Sequence, residues 1–251
     1  MNLLRNLIRP YLYARFGFHR MTGTGPFGSG RVNYIHPPDH QGWNPLKQAI
    51  WKYHVKQFHD SSCSVATVVA CINAVRFLEN GAPHPIDQGD ILDRVTTGHW
   101  KARMSDGGYH GRRGLPLPLL GQVVKDSISA YKLKVQHVDI VRTPKTLPRG
   151  STLRATLKKR LRDFDRHGNG LIIAHFDQGM LVPTLNIPHI SPVGAYDEAT
   201  DRVTMLDVDP EQEKPYEVDF NTFYKGLSCD YHHVLQAFGY GSGGYVYLQI
   251  R

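Results

Sequence analysis

The chain has 251 residues, 41% of them hydrophobic and 21% charged, which suits one well-buried core, and no stretch reaches the uninterrupted apolar length of a membrane span. Thirty Lys and Arg against 22 Asp and Glu leave a net charge of +8, a bias toward anionic partners such as small acids, nucleic acid or lipid headgroups. Three cysteines, Cys63, Cys71 and Cys229, form an odd set without CxxC spacing, which excludes a disulfide framework and a thiolate zinc site as the organising device.

Residues 1–41 read as an arm and a linker ahead of one domain at 42–251. The arm interleaves Leu3, Leu4, Ile8, Leu12, Phe16 and Phe18 with Arg5, Arg9, Arg15 and Arg20, and the first acidic residue is Asp39. It is basic and amphipathic, without the apolar run and small-residue cleavage site of a secretory signal. The expectation is a cytoplasmic protein whose arm packs on its own domain or a partner, contacts a membrane surface, or is a transit-like targeting segment. The Gly- and Pro-rich segments GTGPFGSG and HPPD follow as irregular chain.

Helical periodicity covers 44–56. After the polar break HDSS, the residues Val65, Val68, Val69, Ile72 and Val75 recur at three- and four-residue steps, predicting a helix capped by Ser61 or Ser62 and ended at Asn80-Gly81. Further helices are predicted over 85–95 and 117–131, separated by the loop RMSDGGYHGRRG, and over the basic stretch 153–165. Strands are predicted over 133–140, 171–176, 190–196, 203–207, 216–218 and 245–250. A helical first half and a β-rich second half predict an α+β fold, with a helical lobe carrying Cys63 packed against a mainly antiparallel sheet. The basic helix LRATLKKRLRDFDRH lacks interleaved aromatic residues, so it reads as a solvated face and nucleic acid is not an expected partner. No HExxH or tight His/Asp cluster occurs and His232-His233 are adjacent, so no metal site built by the protein is expected. Composition leaves the oligomeric state open.

Cys63 falls in the first turn of its helix, where unpaired backbone N–H groups and the helix dipole favour an anion and so a thiolate. Cys71, eight residues on, reads as a small core residue, and Cys229 has no helix start beside it. A cysteine nucleophile requires a base and a group to orient that base. In NIPHISPVGAYDEATDRVTMLDVD, His189 opens one strand and Asp207 ends the returning strand 18 positions later. A hairpin turning near Glu198 places Asp207 opposite or diagonal to His189. Gln57, six residues before Cys63, can bring a side-chain amide beside the Cys63 N–H as an oxyanion donor. His175, inside the apolar strand LIIAHF, reads as a packed residue.

Gln57, the stretch CSVAT from Cys63, Asn73-Ala74-Val75, GLPL from Gly114, HISPVGAY from His189 and Leu206-Asp207-Val208 together resemble the catalytic domain of the phytochelatin synthase family, over roughly residue 42 to the C-terminus and closest to its short bacterial forms. The resemblance implies a papain-like arrangement in which Cys63 is the nucleophile, His189 the base, Asp207 its orienting group and Gln57 the oxyanion donor. It implies a small thiol peptide as substrate, glutathione or a relative: a γ-glutamylcysteinyl thioester forms, glycine leaves, and the acyl group passes to water or to a second thiol peptide. No resident cofactor is implied; a heavy-metal ion, Cd or Zn, would arrive as a thiolate complex of the substrate. Ser64, Gly114, Ile190 and Ser191 are expected to contact that substrate, and Arg112 and Arg113 to meet its carboxylate.

Three positions depart from the family. Ser64 and Pro188 stand where it has glycine, and the acidic run Asp209-Pro210-Glu211 stands where it has an arginine that holds the substrate carboxylate. The segment DVDP followed by KPYEVDFNTFYKGL is also similar to C39-type leader peptidases, in which Asp209 would rival Asp207, and a non-catalytic binding module on the same scaffold is the third alternative.

Overall fold

The computed structural model describes residues 2–23, 31–37, 39, 41–81, 84–147, 149, 151–182, 187–231, 235 and 240–250. In chain order these hold helix α1 (Asn2–Thr22), strand β1 (Asn33–Tyr34), helices α2 (Pro45–Lys52), α3 (Cys63–Asn80), α4 (Gln88–Arg94), α5 (Trp100–Arg103) and α6 (Leu117–Ala130), and strand β2 (His137–Arg142). Helix α7 (Leu153–His167), strands β3 (Gly170–Asp177), β4 (Pro188–Asp197), β5 (Arg202–Met205) and β6 (Tyr216–Asp219), helix α8 (Phe220–Leu227) and strand β7 (Gly244–Gln249) complete the set.

The strands form one sheet in the order β1-β6-β5-β4-β3-β7-β2, antiparallel at every pairing. The chain is therefore a mixed α+β fold. β3 reads GLIIAHFD and is buried at every position. It lacks the alternation of a half-exposed strand because helices contact it directly: α7 and α8 both lie against β3, while α2 and α3 lie against β4. α3 is buried on all sides from Cys63 to Val75, so the apolar stripe read from spacing is part of a wholly buried helix. Its 18 residues are long and apolar enough to cross a bilayer, which corrects the exclusion drawn from composition; 72% of the segment is buried inside the fold.

Local chemistry explains where the elements depart from expectation. α4 starts at Gln88 because Asp87 and Asp90 form a capping box, each carboxylate accepting the other's backbone N–H. β2 starts at His137 and not at 133, since Lys132 takes a left-handed φ of 55° and the Leu133 N–H bonds back to Ile128. The strand expected over 203–207 ends at Met205, leaving Asp207 just beyond it. Among the described residues, β1, α5 and α8 were not foreseen; each is eight residues or shorter, and α8 is capped by the Asp219 carboxylate accepting from the Thr222 N–H.

The β4–β5 hairpin carries a bulge at Gly194 that shifts the register between Val193 and Ala195. Beyond it Val193 faces Met205 and Leu206 N–H donates to Pro192, so Asp207 continues opposite Ser191 and diagonal to His189. Gly194 is required by space: a Cβ there would lie 2.7 Å from Leu206 Cγ. Gly194→Ala is expected to lower the free energy of unfolding by about 1–3 kcal/mol, read from urea denaturation, because Leu206 is buried and has no room to yield.

Candidate active site

The chemistry begins at the start of α3. Cys63 is its first residue, preceded at the N-cap position by Ser62. The expected serine cap is absent: Ser62 Oγ donates to His59 O (2.8 Å) and accepts the His59 N–H (2.9 Å), tying the loop closed, and Ser61 Oγ donates to Met104 O (3.3 Å). No side chain therefore quenches the donors at the mouth of α3, and they remain directed at the end of the helix that holds the thiol. Cys63 is 7% exposed.

His189 lies on β4 opposite Phe176 of β3, whose ring it meets edge to face. Its Nε2–H donates to Asp207 Oδ1 at 2.7 Å, with both side chains buried. The Cys63 thiol lies near enough to the same imidazole to favour its charged form, and with Nε2 taken by Asp207 the nitrogen left to face it is Nδ1. Burial of the ring disfavours its cation, but the Asp207 charge, the hydrogen bond to it and the contact with Cys63 outweigh that cost and raise the imidazole pKa from 6.5 to about 10. Burial likewise disfavours the Asp207 anion, and the His189 charge with the hydrogen bonds from His189, Tyr216 and the Asp209 N–H more than offset it, so the carboxyl is held well below its usual range.

Asp207 is clamped from all sides. Oδ2 accepts the Tyr216 hydroxyl (2.6 Å) and Gln178 Nε2 (3.1 Å); Oδ1 accepts the Asp209 N–H (2.9 Å) and, at 3.4 Å, the Ser191 hydroxyl. Its backbone carbonyl accepts from Lys56 Nζ (2.6 Å) and from the ring of His54 (3.1 Å). Burial, followed by Lys56, lowers the His54 pKa to about 4, so that ring is a neutral donor. Tyr216, Gln178 and Lys56 escape a reading of the sequence because they come from the start of β6, the turn after β3 and the loop after α2, which only the sheet brings together. The available signal for Gln178 is its place at the end of β3, the strand paired to the one holding His189.

Gln57 is set by the same segment. Its N–H donates to Val208 O at 2.8 Å, its side chain lines the cleft beside Cys63, and its Oε1 is buried without a partner. The cleft encloses about 590 Å³, within the range of small-ligand pockets. Arg113 and Gly114 form one wall with Tyr240; Asp209 and Glu211 form another; Leu12, Tyr13 and Arg20 of α1 border the mouth, where Arg20 pairs with Glu211 at 2.8 Å. Gly114 has φ 63°, and a Cβ on it would lie 2.3 Å from the Tyr240 hydroxyl, so only glycine lets that wall close. Arg103, another residue the sequence did not flag, is buried behind this wall and donates to Gly98 O (2.8 Å) and Gly114 O (3.4 Å).

The structure thus brings Cys63, His189, Asp207 and Gln57 together and places Arg113 and Gly114 on the cleft. Four residues expected to touch a ligand do not reach it. Ser64 is fully buried and accepts the Trp100 indole N–H at 3.0 Å. Ile190 is buried, its carbonyl taken by Thr67; Ser191 is buried between Asp207 and the Val208 N–H; Arg112 lies outside the lining. Asp209 does not compete for His189, since its carboxylate accepts from Gln178 and from the Glu211 N–H.

His175 is packed, bonded to Leu115 O and the Tyr231 hydroxyl, and burial lowers its pKa to about 4. Cys71 and Cys229 are free and buried, and burial pushes the Cys229 thiol up to about 12. Among the described residues no group of three or more His, Cys, Asp or Glu could hold a metal ion; His232 and His233 lie outside the described residues.

No family model matches the chain, and no curated protein matches it.

Proposed function

We propose that this constellation performs cysteine acyl transfer in a papain-like arrangement, on a small thiol peptide of the glutathione type. The observation that carries the reading is the buried His189–Asp207 pair aimed at a thiol on an uncapped helix N-terminus. Cys63 Sγ attacks the scissile carbonyl while His189 holds the thiol proton. Gln57 Nε2–H and the Cys63 N–H receive the oxyanion. The C–N bond breaks, His189 passes its proton to the leaving amine, and a thioester remains on Cys63. Water, or the amine of a second peptide, gives a proton to His189 and takes the acyl group.

The resemblance to the phytochelatin synthase family supplies the substrate class, and the volume of the cleft is compatible with a tripeptide. Of the two arginines considered for the substrate carboxylate, Arg113 is the one that faces the cleft; its Nε is buried without a partner, and Asp106, 4.0 Å from its guanidinium, is almost fully exposed. A thiolate-bound metal ion would enter as part of the substrate.

Incubation with glutathione, with and without cadmium, is expected to release glycine and γ-glutamylcysteine. Absence of product from protein whose Cys63 alkylates normally would remove the glutathione reading and leave the acyl chemistry standing; a peptide with paired glycines cut under the same conditions would favour leader-peptide cleavage. Gln57→Ala is expected to reduce turnover by about 10²–10³-fold with Cys63 still alkylated, the loss of one oxyanion donor.

A further inference from the structure

Eight large hydrophobic side chains stand exposed among the described residues. Four of them, Tyr11, Tyr13, Phe18 and Met21, are on α1, and two more, Phe58 and Ile187, line the cleft that α1 borders. Exposed apolar residues are ordinarily scattered singly; their concentration marks a surface that meets an apolar partner. At 3.6 residues per turn, Tyr11, Ala14, Phe18 and Met21 fall on one side of α1, with Tyr11, Phe18 and Met21 exposed to 50, 62 and 89%. Tyr13 and Arg20 point the other way, to the cleft, so the stripe faces out from the body of the protein.

Charge selects the occupant. The first 38 residues carry Arg5, Arg9, Arg15, Arg20 and Arg31 and no acidic residue. In a symmetric contact with a second copy the same patch meets itself, which would set these arginines against their own copies. An anionic bilayer satisfies both features: the aromatic and aliphatic stripe enters the headgroup boundary, and the net positive charge of the arm is drawn to the lipid phosphates. We propose that α1 is an interfacial helix that docks the protein on an anionic phospholipid surface through Tyr11, Phe18 and Met21. Because α1 borders the cleft, docking brings the mouth of the cleft close to the membrane plane.

Co-sedimentation of the full chain with vesicles tests this. Binding is expected to vesicles containing phosphatidylglycerol and not to pure phosphatidylcholine, and to weaken as salt is raised. Tyr11→Glu with Phe18→Glu is expected to abolish it, and Arg15→Gln, beside the stripe, to reduce it about fivefold. Thermal unfolding and alkylation of Cys63 should be unchanged in the Tyr11/Phe18 double variant, since neither residue lines the cleft. The proposal does not rest on the cysteine chemistry, and Cys63→Ala should bind vesicles as the parent chain does. Equal binding to neutral vesicles, or none to either, overturns it. Concentration-dependent dimerisation that Phe18→Glu removes, without vesicle binding, would assign the stripe to a second copy instead.

Discussion

Replacing His189 with alanine is expected to slow iodoacetamide alkylation of Cys63 at about pH 5.5 by roughly 10²–10⁴-fold, and acyl transfer by at least as much, the usual worth of a positioned proton carrier. The acidic pH makes the test selective. An ordinary cysteine, with a pKa of about 8.5, is only about one part in a thousand thiolate there. In the parent chain the imidazole raised toward about 10 keeps a positive charge against the sulfur throughout the neutral and mildly acidic range. Asp207→Asn separates the two jobs of the carboxylate. An amide oxygen can still accept the His189 Nε2–H, as in cysteine enzymes that use asparagine, but it no longer supplies the charge that raises the imidazole. Alkylation in Asp207→Asn is therefore expected to fade at acidic pH while persisting near neutrality. Rapid labelling of His189→Ala at acidic pH would sink the acyl-transfer reading.

Asp207→Ala is the substitution with the largest expected cost to the fold. It strands a buried imidazole, leaves the Tyr216 hydroxyl without its acceptor and takes one of two acceptors from the Gln178 amide, all within the protein interior. Breaking a buried, hydrogen-bonded charge pair from one side costs about 3–5 kcal/mol, which for a domain of this size corresponds to a fall in Tm of about 6–20 °C. Calorimetry on the full chain reads it. The pH dependence follows from the two shifts. His189 is raised above its ordinary 6.5, so its share of stability is complete below that pH and is lost as pH climbs toward about 10. Asp207 is lowered below its ordinary 3.8, so its share is complete above that pH and is lost as pH falls. The gap in Tm between the parent chain and Asp207→Ala should be widest between about pH 4 and 6.5 and narrow on either side.

Part of this was legible in the residues and part was not, and the division has a physical cause. Periodicity located α3 and α7 because long helices carry their signal over several turns, and the apolar run at 171–176 located β3. The His189–Asp207 contact was legible because one hairpin joins them, and hairpin register can be counted along the chain. Of the two placements expected, opposite or diagonal, the register has the diagonal one: the chain turns past Glu198 and the Gly194 bulge adjusts the register, so Asp207 sits opposite Ser191 and diagonal to His189. The clamp on Asp207 could not be counted at all. Tyr216, Gln178 and Lys56 reach it across separate strands and loops, and nothing local distinguishes such residues from surface polar ones. Ser64 misled for a related reason. A position beside the nucleophile suggests the cleft, yet successive residues of a helix point about 100° apart, and Ser64 points inward.

That inward turn gives the protein an optical reporter. The Trp100 indole, fully buried, donates its N–H to Ser64, the residue next in chain to Cys63. Indole emission depends on that hydrogen bond and on the polarity around the ring. Loading Cys63 with an acyl group presses on the first turn of α3, which carries Ser64, and so changes the surroundings of a chromophore already in place. Trp43 and Trp51 meet each other at a tilt elsewhere, with Trp51 on α2, and supply a constant background. The rise and decay of the proposed thioester can then be followed by stopped-flow fluorescence in the unlabelled protein, which makes the proposed covalent step observable without knowing the acceptor.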